Sequence, residues 1–409
     1  MIGRPRGAFH GLPSEAFGTK TGDLVAPCRG HYPRHAEPPD PDSLPAFAVA
    51  LSGGGFRATL AAVGVLRFLA DTDLLSRIRW VSSVSGGSIT NGLFAATYPA
   101  LAERNFDVGA FVDLIERPIV HRVSSSSLTL KLFRNVWRTV GPGTRTTVLA
   151  RALDDWFFHK KRLAELSPTC RFIFNGANLT TGVRFGFERD VVGDYVIGNV
   201  STRERNFRLA EAVAASAAVP GFFPAFIPKG NFPCLNGRKP RIVDGGVYEN
   251  TGLEPIEGLR PERACIVALN AGGVFRTGSF GRVPVIRDLM RSEGLLYRQS
   301  TALRTRHMVE AFQAWERTRD AGQPAPEGSR QGVLFGLATT VAAVSPDWVA
   351  DEHADVGPSL ARLKTSFAKF PLDQCRQLIY RGWWLTGASL ATYHRPLLPA
   401  QLPDWRQLV

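Results

Sequence analysis

Three glycine-rich segments of this 409-residue chain contain groups that could carry out one reaction together. The first is FAVALSGGGFRATLAAVGVLRFL, Phe47 to Leu69, where an apolar strand pattern ends in a serine and three glycines before an apolar helix pattern. Bare backbone amides at the start of a helix attract negative charge. The amides of Gly53, Gly54 and Gly55 are therefore candidate donors, either to a bound phosphate or to an oxyanion that forms during a reaction.

The second segment is WVSSVSGGSIT, Trp80 to Thr90, where a strand pattern runs into a Ser-Gly-Gly turn and then a helix. This is the setting of a nucleophile elbow, a tight turn that accepts only small side chains two residues before and after the nucleophile. Ser85 meets this requirement, because Ser83 and Gly87 occupy those positions. The sequence therefore predicts Ser85 as the nucleophile, in an SxSxG pattern rather than GxSxG.

The third segment is RIVDGGVYENTGLEP, in which Asp244 ends a short apolar strand and two glycines follow. An acid at a strand end can face the ligand crevice of an open sheet, and the alternative is an Asx-type turn. Taken together, the segments offer backbone donors, a hydroxyl and a carboxylate, which acyl transfer requires. Ser85 would attack and Asp244 would accept its proton. The turns would be supported by glycines: Gly86, Gly87, Gly245 and Gly246.

The elements that must position these residues alternate between strands and helices. We expect strands at Ala46–Leu51, at Ile78–Val84, in RIVDGG and in ACIVALN. We expect helices at Thr59–Leu69, Ile89–Tyr98, Leu209–Val219 and about 282–319. A hairpin is expected from Arg171. Alternating apolar strands and helices predict an α/β fold with a buried, mostly parallel sheet. Residues 1–45 are expected to form an irregular arm, and residues 360–393 two helices broken at Pro371.

The three motifs, in this order, resemble those of the patatin-like phospholipases, whose pattern is GGGxR, GxSxG and DGG or DGA. SGGGFRA and SGGS are closer to the cytosolic phospholipase A and lysophospholipase branch. The resemblance covers about residues 46–270. It implies a three-layer α/β/α core over 46–275, with a helical C-terminal extension over 276–409. It also implies a lipid acyl hydrolase, a phospholipase A or lysophospholipase, that uses a Ser85–Asp244 dyad and an acyl-serine intermediate.

Other polar residues leave alternatives open. Arg57 could bind a substrate phosphate or the oxyanion, or could form a structural salt bridge. His307, His353 and His394 follow Asp244, as in an ordinary hydrolase triad, but none lies in a glycine-rich strand-to-loop context. A free carboxylate with a pKa near 3.9 is a poor base, so the dyad requires a cleft that raises the pKa of Asp244.

The composition limits the partners and cofactors. The net charge of +13 favours anionic partners, but there is no basic tail and no basic run interleaved with aromatics, so we expect no nucleic acid. The expected partner is a phospholipid membrane surface, and an anionic surface is one alternative. A requirement for a protein activator is a second question that the sequence leaves open. The segment Leu128–Val140 is either a basic amphipathic lid for the membrane or a helix packed on the core.

Five scattered cysteines without a CxxC pair argue against a disulfide framework or a zinc site, and no calcium loop is visible, so we expect no metal and no cofactor. No apolar run has the length of a membrane span, and there is no apolar signal region. We expect a cytoplasmic or peripherally membrane-associated protein, with export without a Sec-type signal as an alternative. Two other functions stay open: a catalytically silent lipid- or anion-binding module, and a general esterase or acyltransferase acting on another lipid.

Overall fold

A computed structural model describes residues 45–127, 144–230, 232, 235, 237–273, 284–340, 344 and 357–404. The amphipathic segment Leu128–Val140, most of the N-terminal arm, Cys28, Cys234 and His353 lie outside these residues. Among the described residues, no helix combines the length and the apolar character that crossing a membrane would need.

The strands form one sheet in the order β6-β5-β4-β3-β2-β1-β8-β9. The short strand β7 pairs with β3, on the edge of β3 that β2 also uses. Their bounds are β1 Ala46–Leu51, β2 Ile78–Val84, β3 Arg171–Asn178, β4 Val183–Phe187, β5 Val191–Asp194, β6 Gly198–Ser201, β7 Ile242–Asp244, β8 Ala264–Asn270 and β9 Gln331–Gly336. Pairs from β3 through β2, β1 and β8 to β9 are parallel. The pairs β3–β4, β4–β5, β5–β6 and β3–β7 are antiparallel. The sheet is thus mostly parallel at its centre.

The described helices flank this sheet. The α-helices are α1 Gly55–Asp71, α2 Gly86–Glu103, α3 Val108–Phe111, α4 Arg117–Ser125, α5 Thr144–Leu153, α6 Thr202–Arg205, α7 Leu209–Ser216, α8 Pro284–Asp320, α9 Gly357–Ala361 and α10 Leu372–Tyr393. Short 3₁₀ segments are Leu75–Arg77, Leu163–Glu165, Gly245–Val247 and Arg395–Leu397, and π segments are Val112–Glu116 and Asp154–Phe158.

Alternate residues of β1 point to two different apolar layers, as the two-residue period of a strand requires. Phe47, Val49 and Leu51 join the larger core, which also contains side chains of α1, α2 and α10. Ala48 and its even-numbered neighbours face the other side, where Met308 of α8 packs. Helices therefore cover both sides of a mostly parallel sheet, and the fold is the expected three-layer α/β/α arrangement.

Helices α1 and α10 are packed closely because each has a glycine at the contact. A Cβ added at Gly64 would lie 2.0 Å from the Ile379 carbonyl oxygen, and one at Gly382 would lie 2.0 Å from the Ala61 carbonyl oxygen. Side chains at these positions would force the backbones apart. α1 is buried along nearly its whole length as a result, which fixes the start of α1 relative to the C-terminal part of the chain.

The region after residue 275 differs from the expected helical extension in two ways. β9 is a strand that pairs with β8, so the central sheet takes a strand from this region. The segment after Ala361 was expected to be helical up to Pro371 but is irregular. Its carbonyls have other uses: those of Ala361 and Leu363 accept from Arg57, and that of Ser366 accepts from the Phe56 amide.

Candidate active site

Ser85 lies in a strained turn between β2 and α2, with φ 50° and ψ −118°. Few non-glycine residues adopt such a conformation, and strain of this kind is typical of a nucleophile elbow. Small neighbours permit it, because a Cβ at Gly86 would lie 2.0 Å from the Gly55 carbonyl oxygen and one at Gly87 2.5 Å from that of Leu51. The side chain of Ser85 is therefore presented at the end of β2, with 5% of the residue exposed.

Ser83, the departure from GxSxG, fits within a buried polar network beneath the elbow. Its hydroxyl lies 2.9 Å from that of Ser88 and accepts a hydrogen bond from the Asn91 side-chain amide, Nδ2, at 2.8 Å. The Ser88 hydroxyl is in turn 2.9 Å from the hydroxyl of Ser216, which accepts from the Ser85 amide at 3.0 Å. A serine at position 83 is thus satisfied, and the network fixes the backbone of Ser85.

The sheet brings Asp244 to Ser85. On one side of β3, β2 ends with Val84 opposite Asn175, and β7 continues the same side with Asp244 opposite Gly176. The parallel strand β2 and the antiparallel strand β7 therefore end head to head at neighbouring positions of β3. The residue after Val84 is Ser85, so the predicted nucleophile and base meet where these two strands end.

The Asp244 carboxylate is almost completely buried, with 6% of the residue exposed. Its Oδ1 accepts from the Gly246 amide at 2.8 Å, whereas Oδ2 has no hydrogen-bond partner among the described residues. Burial raises the pKa of Asp244 to about 6, and the nearby Ser85 hydroxyl and the Gly246 amide limit the rise. This is the raised pKa that a carboxylate base for serine requires.

The glycine loop lies beside the nucleophile at the start of α1. A Cβ at Gly53 would be only 3.1 Å from Cβ of Ser85. The Gly53 amide donates to the Asn250 carbonyl at 3.1 Å, so in this conformation it is not available to an oxyanion. The amides of Gly54 and Gly55 have no acceptor among the described residues, and both have positive φ, 148° and 61°. These two amides remain as the candidate donors.

Arg57 does not reach the substrate side. Its guanidinium is 1% exposed and donates to the Ala271 carbonyl, to the carbonyls of Ala361 and Leu363, and to the Thr365 hydroxyl. All five N–H donors of a guanidinium are thereby used, so none is left for a phosphate or an oxyanion. The structural alternative fits, although the partners are carbonyls and a hydroxyl rather than the expected carboxylate.

Of the three histidines that follow Asp244, the structure describes His307 and His394. His307 is exposed on α8. His394 is buried, with Nε2 3.0 Å from the Gly332 carbonyl oxygen and its ring beside Trp315. Neither forms a hydrogen bond with Ser85 or Asp244 among the described residues.

Two residues near the dyad were not predicted. Asn250 is buried, with Nδ2 3.4 Å from the Gly53 carbonyl oxygen. Tyr297 of α8 has Cε2 3.4 Å from the position that a Cβ at Gly246 would take. Asn250 belongs to the DGGVYEN segment and could have been noted there. Tyr297 gives no local signal, because only the packing of α8 brings it to the site.

Within the described ranges, no three His, Cys, Asp or Glu side chains form a group that could hold a metal ion. The cysteines described there, Cys170, Cys265 and Cys375, are free and buried. The groups available for chemistry at this site are therefore a strained serine, a buried carboxylate with a raised pKa, and two backbone amides at a helix start.

Comparisons with known proteins bear on the family and the fold of the chain. A family model described as patatin-like phospholipase matches residues 49–256. The structure of human GIVD cytosolic phospholipase A2 in complex with methyl gamma-linolenyl fluorophosphonate aligns with 15% identity and a TM-score of 0.50, covering 87% of this chain and 59% of that one. Another structure of the human enzyme aligns with 13% identity and a TM-score of 0.49, covering 85% and 59%. No curated protein matches significantly.

At 15% identity, the alignment with a TM-score of 0.50 supports the fold alone. The chain spans about 59% of the length of the phospholipase chains that it matches.

Proposed function

Because the chain belongs to the patatin-like phospholipase family, we propose that it is a lipid hydrolase that cleaves fatty acyl esters of phospholipids or lysophospholipids through an acyl-Ser85 intermediate. The single observation that supports this most is the convergence of Ser85 and Asp244 at adjacent positions of β3. A strained elbow and a buried carboxylate are each common, but their meeting at one point is what acyl transfer needs.

In the proposed reaction, ionised Asp244 accepts the proton of the Ser85 hydroxyl as the oxygen attacks the ester carbonyl. The developing oxyanion is held by the amides of Gly54 and Gly55, helped by the positive end of α1. Asp244 then returns the proton to the leaving alcohol, which leaves an acyl-serine. Water, deprotonated by the same carboxylate, attacks this ester, releases the fatty acid and restores the Ser85 hydroxyl.

The proposed substrate is presented by a membrane surface. Large apolar side chains are exposed on elements that also contact the site, at Phe222 on the loop after α7, at Val247 on the turn after Asp244, and at Leu295 on α8. The loop of Phe222 is joined to the site because the Ala218 carbonyl accepts from the Asp244 amide. The net charge of +13 favours an anionic surface. Binding to vesicles with and without anionic lipid, followed by sedimentation, tests this preference.

Labelling with a fluorophosphonate lipid analogue, followed by mapping of the adduct, tests the proposed function. We expect the adduct on Ser85 and its loss in Asp244→Asn, while the exposed Asp320→Asn control keeps it. An adduct on another serine would overturn the assignment of the nucleophile. If wild-type protein forms no adduct with or without anionic vesicles and hydrolyses no ester, the silent binding module becomes the better reading. Products formed with water and with alcohol acceptors distinguish phospholipid hydrolysis from acyl transfer.

A further inference from the structure

We propose that Tyr297, on a helix outside the family-matched segment, is a positioning residue of this site, whose ring excludes water from Asp244 and so sets the strength of the base. The inference rests on the proposed Ser85–Asp244 function. It assigns part of the catalytic apparatus to α8, although both dyad residues lie within residues 49–256.

The ring of Tyr297 and the carboxylate of Asp244 both lie against Gly246. A Cβ built at Gly246 would lie 3.1 Å from Oδ1 of Asp244 and 3.4 Å from Cε2 of Tyr297. A glycine there leaves room for the ring edge to approach the carboxylate. The geometry places the aromatic edge near the acid, where we propose that it takes the place of water, and excluding water disfavours the charged form of a carboxylate.

The hydroxyl of Tyr297 is directed to a different group of atoms. A Cβ at Gly272 would lie 3.2 Å from this oxygen, 2.9 Å from Nδ2 of Asn250 and 3.0 Å from Oδ1 of Asn270. The hydroxyl thus belongs to a small polar cluster between the end of β8 and the loop after β7. Removing the hydroxyl and removing the ring are consequently separate perturbations.

The elements packed around Asp244 contribute Tyr297, Glu249 and Ser85 to its surroundings. Burial raises the pKa of Tyr297, the charges of Asp244 and Glu249 raise it further, and Arg57 lowers it, so the phenol is neutral at physiological pH. Glu249, on the same loop as Asp244, is bound by Thr251 and the Leu253 amide. Ser85 approaches from the elbow. Tyr297 is the group that α8 contributes, and it contributes bulk rather than charge.

Ion pairs hold Tyr297 in place. Arg304 lies two turns further along α8, on the same face, since two turns are about seven residues. It pairs with Glu254 at 3.1 Å and also with Glu257. One turn beyond it, Met308 is completely buried in the layer beneath the sheet. The rotation of α8 is thereby fixed, and a fixed rotation keeps the Tyr297 ring against Gly246.

The test compares Tyr297→Ala with Tyr297→Phe and Tyr297→Leu, using kcat/KM on a soluble short-chain ester from pH 4 to 8. We expect an acid limb near the pKa of Asp244, about 6, in wild type, in Tyr297→Phe and in Tyr297→Leu. In Tyr297→Ala we expect the limb about one pH unit lower, since water then reaches the carboxylate. The exposed Leu303→Ala on the same helix should leave the limb unchanged.

A second readout does not depend on activity. The difference in stability between Asp244 and Asp244→Asn, measured across pH, reports the pKa of Asp244 through linkage, in the wild-type and Tyr297→Ala backgrounds. A lower pKa in Tyr297→Ala supports the inference, and an unchanged pKa in a folded Tyr297→Ala protein overturns it. Wild-type protein that lacks esterase activity would overturn the proposed function instead, and the linkage measurement would still decide the role of Tyr297.

Discussion

At Asp244, chemistry and stability make opposite demands. As the proposed base, Asp244 must be ionised to accept the Ser85 proton, yet this carboxylate is buried and its Oδ2 has no hydrogen-bond partner among the described residues. Burial raises its pKa to about 6, which makes it a better base and a costlier group to keep charged. Because folding raises the pKa of Asp244, ionising this carboxylate lowers the free energy of unfolding. The loss is complete above about pH 6 and absent below the pKa of the unfolded chain.

Asp244→Asn should therefore be inactive but more stable than wild type. At pH 7.5 we expect a gain of roughly 1–3 kcal/mol, because the amide removes a buried charge while its oxygen can still accept from Gly246. Near pH 4 the gain should shrink towards zero, since Asp244 is then protonated in the folded protein. Denaturant unfolding at both pH values measures this. A gain that does not change with pH, or one that exposed Asp320→Asn reproduces, would contradict it.

Local pattern was sufficient to select Ser85, Asp244 and the glycine loop as candidates for the proposed chemistry, although not to show that the Gly53 amide is bonded to Asn250. Ser85, Asp244 and the glycine loop each stand at the end of a strand, and the small side chains that their turns require lie within a few residues. Arg57 could not be assigned in this way. Its partners at Ala361, Leu363 and Thr365 are some three hundred positions away, and nothing near Arg57 encodes them.

At the scale of elements, the start of α1 is held by the segment between α9 and α10. The Phe56 amide donates to the Ser366 carbonyl at 3.0 Å, and the rings of Phe56 and Phe367 meet edge to face at 5.3 Å. Arg57 adds its bonds to the same segment. Because Gly54 and Gly55 immediately precede these residues, the segment positions the proposed oxyanion donors.

Arg57→Lys should lower stability by about 2–4 kcal/mol, because a lysine cannot replace the planar fork and leaves buried carbonyls unpaired. Thr365→Val should cost less, about 1 kcal/mol, since it removes a single bond. Thermal unfolding measures both, with exposed Arg306→Lys as the control. A fully stable Arg57→Lys protein whose KM for phospholipid rises would restore the substrate-binding role.

The contact between α1 and α10 gives a second prediction at this scale. Gly382→Ala should destabilise the protein by at least about 1–3 kcal/mol, because its Cβ would lie 2.0 Å from the Ala61 carbonyl oxygen. Gly258→Ala is the matched control, since a Cβ there meets nothing within 4 Å. Equal stability of the two variants would mean that the helices separate at little cost.

Sequence patterns predicted elements well where the signal is local. β1, β2 and β8 have the expected ends. β1 and β8 are mainly apolar runs, and β2 leads directly into the Ser-Gly-Gly turn. Helix ends were less accurate: α2 extends past Pro99 to Glu103, and α7 ends at Ser216 rather than Val219. The segment from Leu360 to Phe370 has an apolar pattern that a helix could use. Its tertiary hydrogen bonds to α1 determine an irregular path instead.

For the whole molecule, His394 connects three parts of the C-terminal half. It follows α10, contacts the Gly332 carbonyl of β9 and packs on Trp315 of α8. Burial lowers the pKa of His394 to about 4, with the Gly332 contact opposing the change. The unfolded chain therefore binds this proton more readily than the folded one below about pH 6.5, so stability is lost as pH falls from there towards 4.

We expect His394→Gln to flatten this loss. Between pH 7 and pH 4 the wild-type protein should lose on the order of 3 kcal/mol through this residue, whereas the glutamine variant has no proton to take up. Denaturant unfolding as a function of pH measures the two slopes, and exposed His307→Gln serves as the control. Parallel slopes for wild type and His394→Gln would show that acid acts elsewhere.

The connection between Phe56 and Ser366 also bears on how the protein is made. A ribosome delivers Ser85 and Asp244 well before Ser366, so the nascent chain carries nucleophile and base while the start of α1 lacks its partner. Chains fold as they emerge, from the N-terminal end. We therefore expect that the proposed capacity to attack lipid arises only after Ser366 has been made, and that the translation apparatus and the membranes near it meet a chain that is still inert.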